Sequence, residues 1–216
     1  MDEDYLGRTR SAYGGSASRF ADLVGVAIGD EFETVGDQAV LAAFVATAPE
    51  GGLVVDAGCG PGRVARFLAD REVRNVLGID IAPGMIDEAR AAHPDLRFEV
   101  APLTAIPVQD ATADAVVYWY SIITTPPAQL HTIWTELNRV LNDQGRALIS
   151  FQAGSGEADP RPNAYGTTTD LTLYQHDPSL VSETLTSAGF TVESSDRRRP
   201  QLEHETTDQA ILTCRR

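Results

Sequence analysis

The 216-residue chain contains no lysine: all 17 of its basic residues are arginine, against 31 acidic ones. Without an amine side chain it can neither form a Schiff base nor hold a lysine-bound pyridoxal cofactor. Cysteine is almost absent. Cys59 and Cys214 make no disulfide framework and no metal cluster. No apolar run is long enough to span a bilayer, and the acidic start Met1-Asp2-Glu3-Asp4 is the opposite of a secretory signal. Positive charge is in short supply too. A formal net charge of −14 opposes binding to phosphate backbones, and the one basic run, Arg197-Arg198-Arg199, reads as a solvated hairpin. Internal repeats and low-complexity segments are missing. What is left is a globular chain of ordinary composition, 43% hydrophobic and 22% charged. It is long enough to bury one full core and is expected in the cytoplasm.

The informative stretch is Leu53-Val54-Val55-Asp56-Ala57-Gly58-Cys59-Gly60-Pro61-Gly62-Arg63-Val64. Apolar residues suited to a buried strand run into an acid, then into glycines at alternate positions, then into the helix-like Val64 to Ala69. This predicts strand, tight turn and helix, with the glycines admitting a ligand to the backbone and the helix amino terminus aimed at it. The spacing departs from the dinucleotide fingerprint, because Gly62 follows Gly60 by two residues rather than three. Asp56 beside the turn would repel a pyrophosphate and attract a cationic amine. A second strand, Asn75 to Asp80, places Asp80 about twenty residues beyond Gly60, where a Rossmann-type fold holds ribose hydroxyls. Ile81 and Ala82 follow, so no arginine waits for a 2′-phosphate. A nucleoside joined to an amino-acid zwitterion fits better than NAD.

Asp56-Ala57-Gly58-Cys59-Gly60-Pro61-Gly62 followed by Gly78-Ile79-Asp80 resembles the first motif and the next acid of class I S-adenosylmethionine-dependent methyltransferases. The likeness covers roughly residues 40 to 216 and is nearest to the small-molecule branch similar to quinone-biosynthesis enzymes. The resemblance implies a Rossmann-like α/β fold: a doubly wound, mostly parallel seven-stranded sheet with an antiparallel strand from a C-terminal hairpin. It implies a methyltransferase domain over 51–216 and a helical lid over 1–50. S-adenosyl-L-methionine would be the cofactor and S-adenosyl-L-homocysteine the product, with Asp56, Gly58, Cys59, Gly60, Gly62 and Asp80 around it. Ile81 and Met85 would pack the adenine, and Pro102, Leu103 and Thr104 would lie beside it. Pro102 stands where the family often has an acid, and Ile122-Ile123-Thr124-Thr125 stand where relatives often carry histidines.

Along the chain, Ser18 to Leu23 and Gly36 to Thr47 read as helices, with a loose Gly14-Gly15-Ser16 before them. Asp114 to Tyr120 is an apolar fourth strand buried on both faces. Its carboxyl end brings Tyr118 to the cofactor and Trp119 and Tyr120 to the acceptor. Pro127 to Leu141 is an amphipathic helix ended by Asn142-Asp143-Gln144-Gly145. Residues 152–170 read as a long loop over the site. Tyr13, Tyr165 and Tyr174 are candidate substrate contacts, and Arg161 and His176 weaker ones.

Methyl transfer from a sulfonium needs positioning more than a dedicated base. The expectation is therefore methyl transfer to a small-molecule or lipid-like acceptor, with no catalytic residue and no metal site assigned. The alternatives are a non-catalytic S-adenosylmethionine or S-adenosylhomocysteine binder and, less well supported, an NAD-linked oxidoreductase.

Overall fold

The computed structural model describes residues 4–216; the start of the chain through Glu3, part of the expected 1–50 lid, lies outside them. Among the described residues nine strands and six α-helices follow one another: α1 (Tyr5–Val24), α2 (Val35–Val45), β1 (Leu53–Ala57), α3 (Arg63–Ala69), β2 (Asn75–Asp80), α4 (Pro83–Ala92), β3 (Arg97–Val100), β4 (Ala113–Trp119), α5 (Leu130–Val140), β5 (Leu141–Ala153), β6 (Glu157–Arg161), β7 (Leu171–Gln175), α6 (Pro178–Ser187), β8 (Thr191–Arg198) and β9 (Asp208–Arg215). Seven of the strands form one sheet in the order β3-β2-β1-β4-β5-β9-β8. The first five are parallel to one another, and β9 runs antiparallel to both β5 and β8. The order reverses between β1 and β4, and ligands of such sheets sit beyond the carboxyl ends of the strands at that point.

The central strands are covered on both sides, which is why their sequences show no polar alternation: Val54, Val55, Val116 and Val117 are all fully buried. One apolar layer packs α5 and α6 against the sheet around Trp134, Leu137 and Phe151. The other packs α2 and α3 around Leu41, Phe44 and Leu68. Each such fully buried side chain contributes about 1.5–3 kcal/mol relative to exposure. Trp134 satisfies its ring N–H by donating to Thr184 Oγ1 at 3.0 Å, tying α5 to α6.

Four readings of the sequence need correction. Gly14-Gly15 does not loosen the amino terminus, because α1 runs through it unbroken. Close packing here requires glycine on the other helix: a Cβ on Gly84 of α4 would lie 2.9 Å from the Gly14 carbonyl oxygen, whereas one on Gly14 would meet nothing within 4 Å and one on Gly15 would lie 3.3 Å from Thr167. Asn142 to Gly145 is no simple turn but an irregularity within β5, since Leu141 pairs with Ala113 and Arg146 already with Ala115. Residues 152–170 are not a featureless loop; β6 belongs there and pairs antiparallel with β7 as a separate two-stranded arm. Finally, Arg198 is not solvated. It is clamped between Asp37 at 2.7 Å and Glu205 at 2.6 Å, both acids being almost wholly buried.

Candidate functional site

A cavity of about 710 Å³ opens at the carboxyl ends of β1, β2 and β4, where the strand order reverses. Its floor is the glycine turn, one wall is α1, and the outer rim comes from the β6–β7 arm and the segment before β9. This size suits a small-molecule site.

The turn is built by backbone geometry that side chains resist. Gly58, Gly60 and Gly62 have φ of 80°, 52° and 86°. The N–H groups of Gly58 and Cys59 both donate to the Ile79 carbonyl at 2.8 Å, binding the turn to β2. Gly58 is pressed against Ser121, whose Cβ would lie 2.2 Å from an added methyl, whereas an added Cβ on Gly60 would meet nothing nearer than Phe20 at 3.9 Å. The floor is therefore open at Gly60 and sealed at Gly58.

Two acids are fixed beneath it. Asp80 accepts from the N–H of Gly60 at 3.0 Å and of Ala82 at 2.9 Å. Burial raises its carboxyl to about 6, with those bonds opposing. Asp56, buried at the end of β1, accepts from the Ala65 N–H at 2.9 Å and so caps the first turn of α3. Burial raises it to about 7, the Ala65 bond opposes, and the neighbouring Asp80 adds to the rise.

The walls are aromatic. Tyr13 meets Phe20 edge-on at 5.5 Å, and Phe20 meets Tyr165 of the arm edge-on at 5.3 Å. Arg19 secures the arm from α1 by donating to the carbonyls of Tyr165 at 3.1 Å and Gly166 at 2.9 Å. Trp119 and Tyr120 stand perpendicular, 5.7 Å apart. Tyr120 has φ 54°, a conformation bulky residues adopt only where their surroundings impose it. Here Ser150 accepts the Tyr120 N–H through its carbonyl at 3.1 Å and its Oγ at 3.0 Å. Burial raises the Tyr120 hydroxyl pKa, and Asp37 adds to the rise.

The structure brings together Asp56, Gly58, Cys59, Gly60, Asp80, Ile81, Met85 and Leu103 with Tyr13, Trp119, Tyr120, Arg161 and Tyr165 around this one cavity. Other expected contacts lie elsewhere. Tyr118 faces the opposite side of β4, fully buried and edge-on to Trp134 at 6.0 Å, because neighbours along a strand point to opposite faces. Gly62 turns toward His93 and Phe98 rather than the cavity. Pro102 and Thr104 stand outside the lining, in a turn closed by the Ala105 N–H on the Pro102 carbonyl. Tyr174 borders a separate, very small hollow with Tyr5 and Thr124. His176 is buried outside the cavity, its Nε2 3.1 Å from the Ile122 carbonyl, and burial lowers its pKa.

Sequence reasoning placed Ser121, with Trp119 and Tyr120, on the acceptor wall, and it does line the cavity; it missed Glu33, Phe32, Arg63 and His204. Glu33 receives Arg63 at 2.5 Å and the Trp119 ring N–H at 3.3 Å. Burial raises its pKa, and the Arg63 charge opposes the rise. Only Arg63, directly after the glycine turn, carried a positional signal. Among the described residues no group of three or more His, Cys, Asp or Glu could hold a metal, and no helix is long and apolar enough to cross a membrane.

With this geometry in view, residues 54–145 match a family described as a methyltransferase domain. That match takes in 92 of the 216 residues. The chain is 36% identical over 108 residues to malonyl-[acyl-carrier protein] O-methyltransferase of Serratia marcescens, covering 47% of this chain and 39% of that one. It is 44% identical over 71 residues to trans-aconitate 2-methyltransferase of Methylobacterium nodulans, covering 31% of this chain and 28% of that one. These matches span well under half the length of those relatives. Among solved structures, 1,6-didemethyltoxoflavin-N1-methyltransferase of Burkholderia thailandensis, bound to 1,6-didemethyltoxoflavin and S-adenosylhomocysteine, shares the fold with a TM-score of 0.75. The overlay covers 100% of this chain and 90% of that one at 20% identity.

Proposed function

We propose that this protein is an S-adenosylmethionine-dependent methyltransferase acting on a small-molecule acceptor. The observation that carries the reading is the pairing of a glycine floor left open at Gly60 with the anchored Asp80 carboxylate at the edge of the same cavity. The residues present fit the cofactor. Asp80, raised to about 6 by burial, is ionised at neutral pH and can accept from two ribose hydroxyls while Gly60 and Ala82 hold it still. Ile81, Met85 and Leu103 supply an apolar face for a base, and Asp56, Gly58, Cys59 and Gly60 border the space for the amino-acid end. When bound, the cofactor supplies a methyl group on a positively charged sulfur, ready for in-line displacement.

The chain's own contribution is placement. Tyr13, Phe20 and Tyr165 join α1 to the arm along one wall of the cavity. Residues 1–50 act as a lid in this reading, and Trp119 and Tyr120 face the acceptor. Two buried free thiols, Cys59 and Cys214, support a reducing, cytoplasmic setting. The named relatives support catalysis over mere binding of the cofactor.

The test is turnover: S-adenosylmethionine labelled in its methyl group, incubated with an acceptor panel, should yield S-adenosylhomocysteine and labelled product. Tight binding of both sulfur nucleosides, with no transfer to any member of a panel spanning carboxylate, aromatic and lipid-like acceptors, would support the non-catalytic binder instead.

A further inference from the structure

The charged groups around the cavity are already matched. Arg63, at 13% side-chain exposure, is held by Glu33 at 3% exposure and also donates to the Ala27 carbonyl at 3.2 Å. Glu205 of the rim is taken by Arg198 at 2.6 Å. Arg161, the other guanidinium of the lining, is half exposed and paired with Asp159 on its own strand. The remaining ionisable acids of the lining, Asp56 and Asp80, add no positive charge. Apart from the cofactor's own charge, an incoming carboxylate would thus lose its water and find both guanidinium groups of the lining already paired, which is unfavourable. A flat ring meets the reverse: Trp119 and Tyr120, 5.7 Å apart and perpendicular, both line the cavity with aromatic surface.

Resting on the methyltransferase reading, we propose that the acceptor is a flat aromatic molecule without a carboxylate, seated against Trp119 and Tyr120. Glu33 sets this specificity by keeping Arg63 occupied. Glu33 has no part in the transfer itself; it acts through the arginine and through the Trp119 ring it orients. Replacing it by glutamine leaves a guanidinium in the cavity without its counter-charge, and that is what a carboxylate acceptor needs.

The experiment uses a matched pair of probes, 2-naphthol and 2-naphthoate, titrated calorimetrically into protein saturated with S-adenosylhomocysteine. Wild type should bind 2-naphthol at least tenfold more tightly than 2-naphthoate. Glu33→Gln should bind 2-naphthoate at least tenfold more tightly than wild type does, while Trp119→Leu should weaken 2-naphthol at least tenfold. Equal or better binding of 2-naphthoate by wild type, or no gain in a folded Glu33→Gln, overturns the proposal. Should Glu33→Gln not fold, the wild-type pair and Trp119→Leu decide it. If S-adenosylhomocysteine itself fails to bind wild type, the methyltransferase reading falls first and this inference with it; if it binds and the naphthol preference is absent, only this inference falls.

Discussion

Gly58, Gly60 and Gly62 look equivalent in the sequence, yet the structure separates what each would lose on replacement by alanine. All three have positive φ, so each alanine incurs the left-handed penalty of about 1–2 kcal/mol. At Gly58 the new methyl would also lie 2.2 Å from Ser121 Cβ, adding about 1–3 kcal/mol of overpacking. The total is about 2–5 kcal/mol. At Gly62 the nearest atoms are ring ends of His93 at 2.9 Å and Phe98 at 3.0 Å, so some of the clash is relieved by side-chain movement. At Gly60 nothing lies within 3.8 Å, the nearest atom being Phe20 Cε1 at 3.9 Å; the methyl projects into the cavity and only the backbone term applies. Urea titrations should therefore rank the losses Gly58→Ala, then Gly62→Ala, then Gly60→Ala. Calorimetry should show Gly60→Ala, the most stable of the three, losing at least tenfold in affinity for S-adenosylhomocysteine, about 1.4 kcal/mol. Equal destabilisation at 58 and 60, or wild-type affinity in Gly60→Ala, would refute the assignment of a sealed and an open glycine.

Asp80 and Asp56 are raised by burial to about 6 and about 7 from an ordinary 3.8. Both therefore favour protonation in the folded chain, and the stability this contributes is full below pH about 4 and lost as pH rises through 6 to 7. For Asp80 this is on the order of 3 kcal/mol, so urea midpoints of the ligand-free protein should fall between pH 4 and 8, and Asp80→Asn should flatten that slope. Arg198→Ala strands two almost buried acids, Asp37 and Glu205, and should cost about 3 kcal/mol, lowering Tm by roughly 6–12 °C. Arg197→Ala, whose pair with Asp208 is half exposed, should change stability by less than about 1 kcal/mol in the same melts. A comparable loss from both would show that the Asp37–Arg198–Glu205 clamp does not exist in solution.

The sheet and the glycine-turn edge of the cavity were legible because they rest on local signals. Val54-Val55 and Val116-Val117 announce buried strands, and Asp56, the glycines and Asp80 are fixed by chain spacing to one turn and one strand end. Tyr118 misled because three consecutive aromatics hide the alternation that sends it to Trp134 while Trp119 faces the cavity. Gly14-Gly15 misled because a glycine pair weakens a helix without ending it, and here α1 is carried through the pair. Glu33, Phe32 and His204 were invisible. They reach the cavity by long-range contacts, such as Glu33 to Trp119 across 86 positions, that no local pattern records. The arm was read as a loop because Glu157 to Arg161 has no buried residue and carries a proline; its strand character comes from pairing with β7, not from a buried face.

The most direct test of the central claim is calorimetric titration of wild type and Asp80→Ala with S-adenosylmethionine, S-adenosylhomocysteine and NADH. The account predicts tight binding of both sulfur nucleosides by wild type, loss of at least tenfold in the variant, and no binding of NADH. Binding of NADH in place of the sulfur nucleosides, or sulfur-nucleoside affinity unchanged in Asp80→Ala, would contradict it.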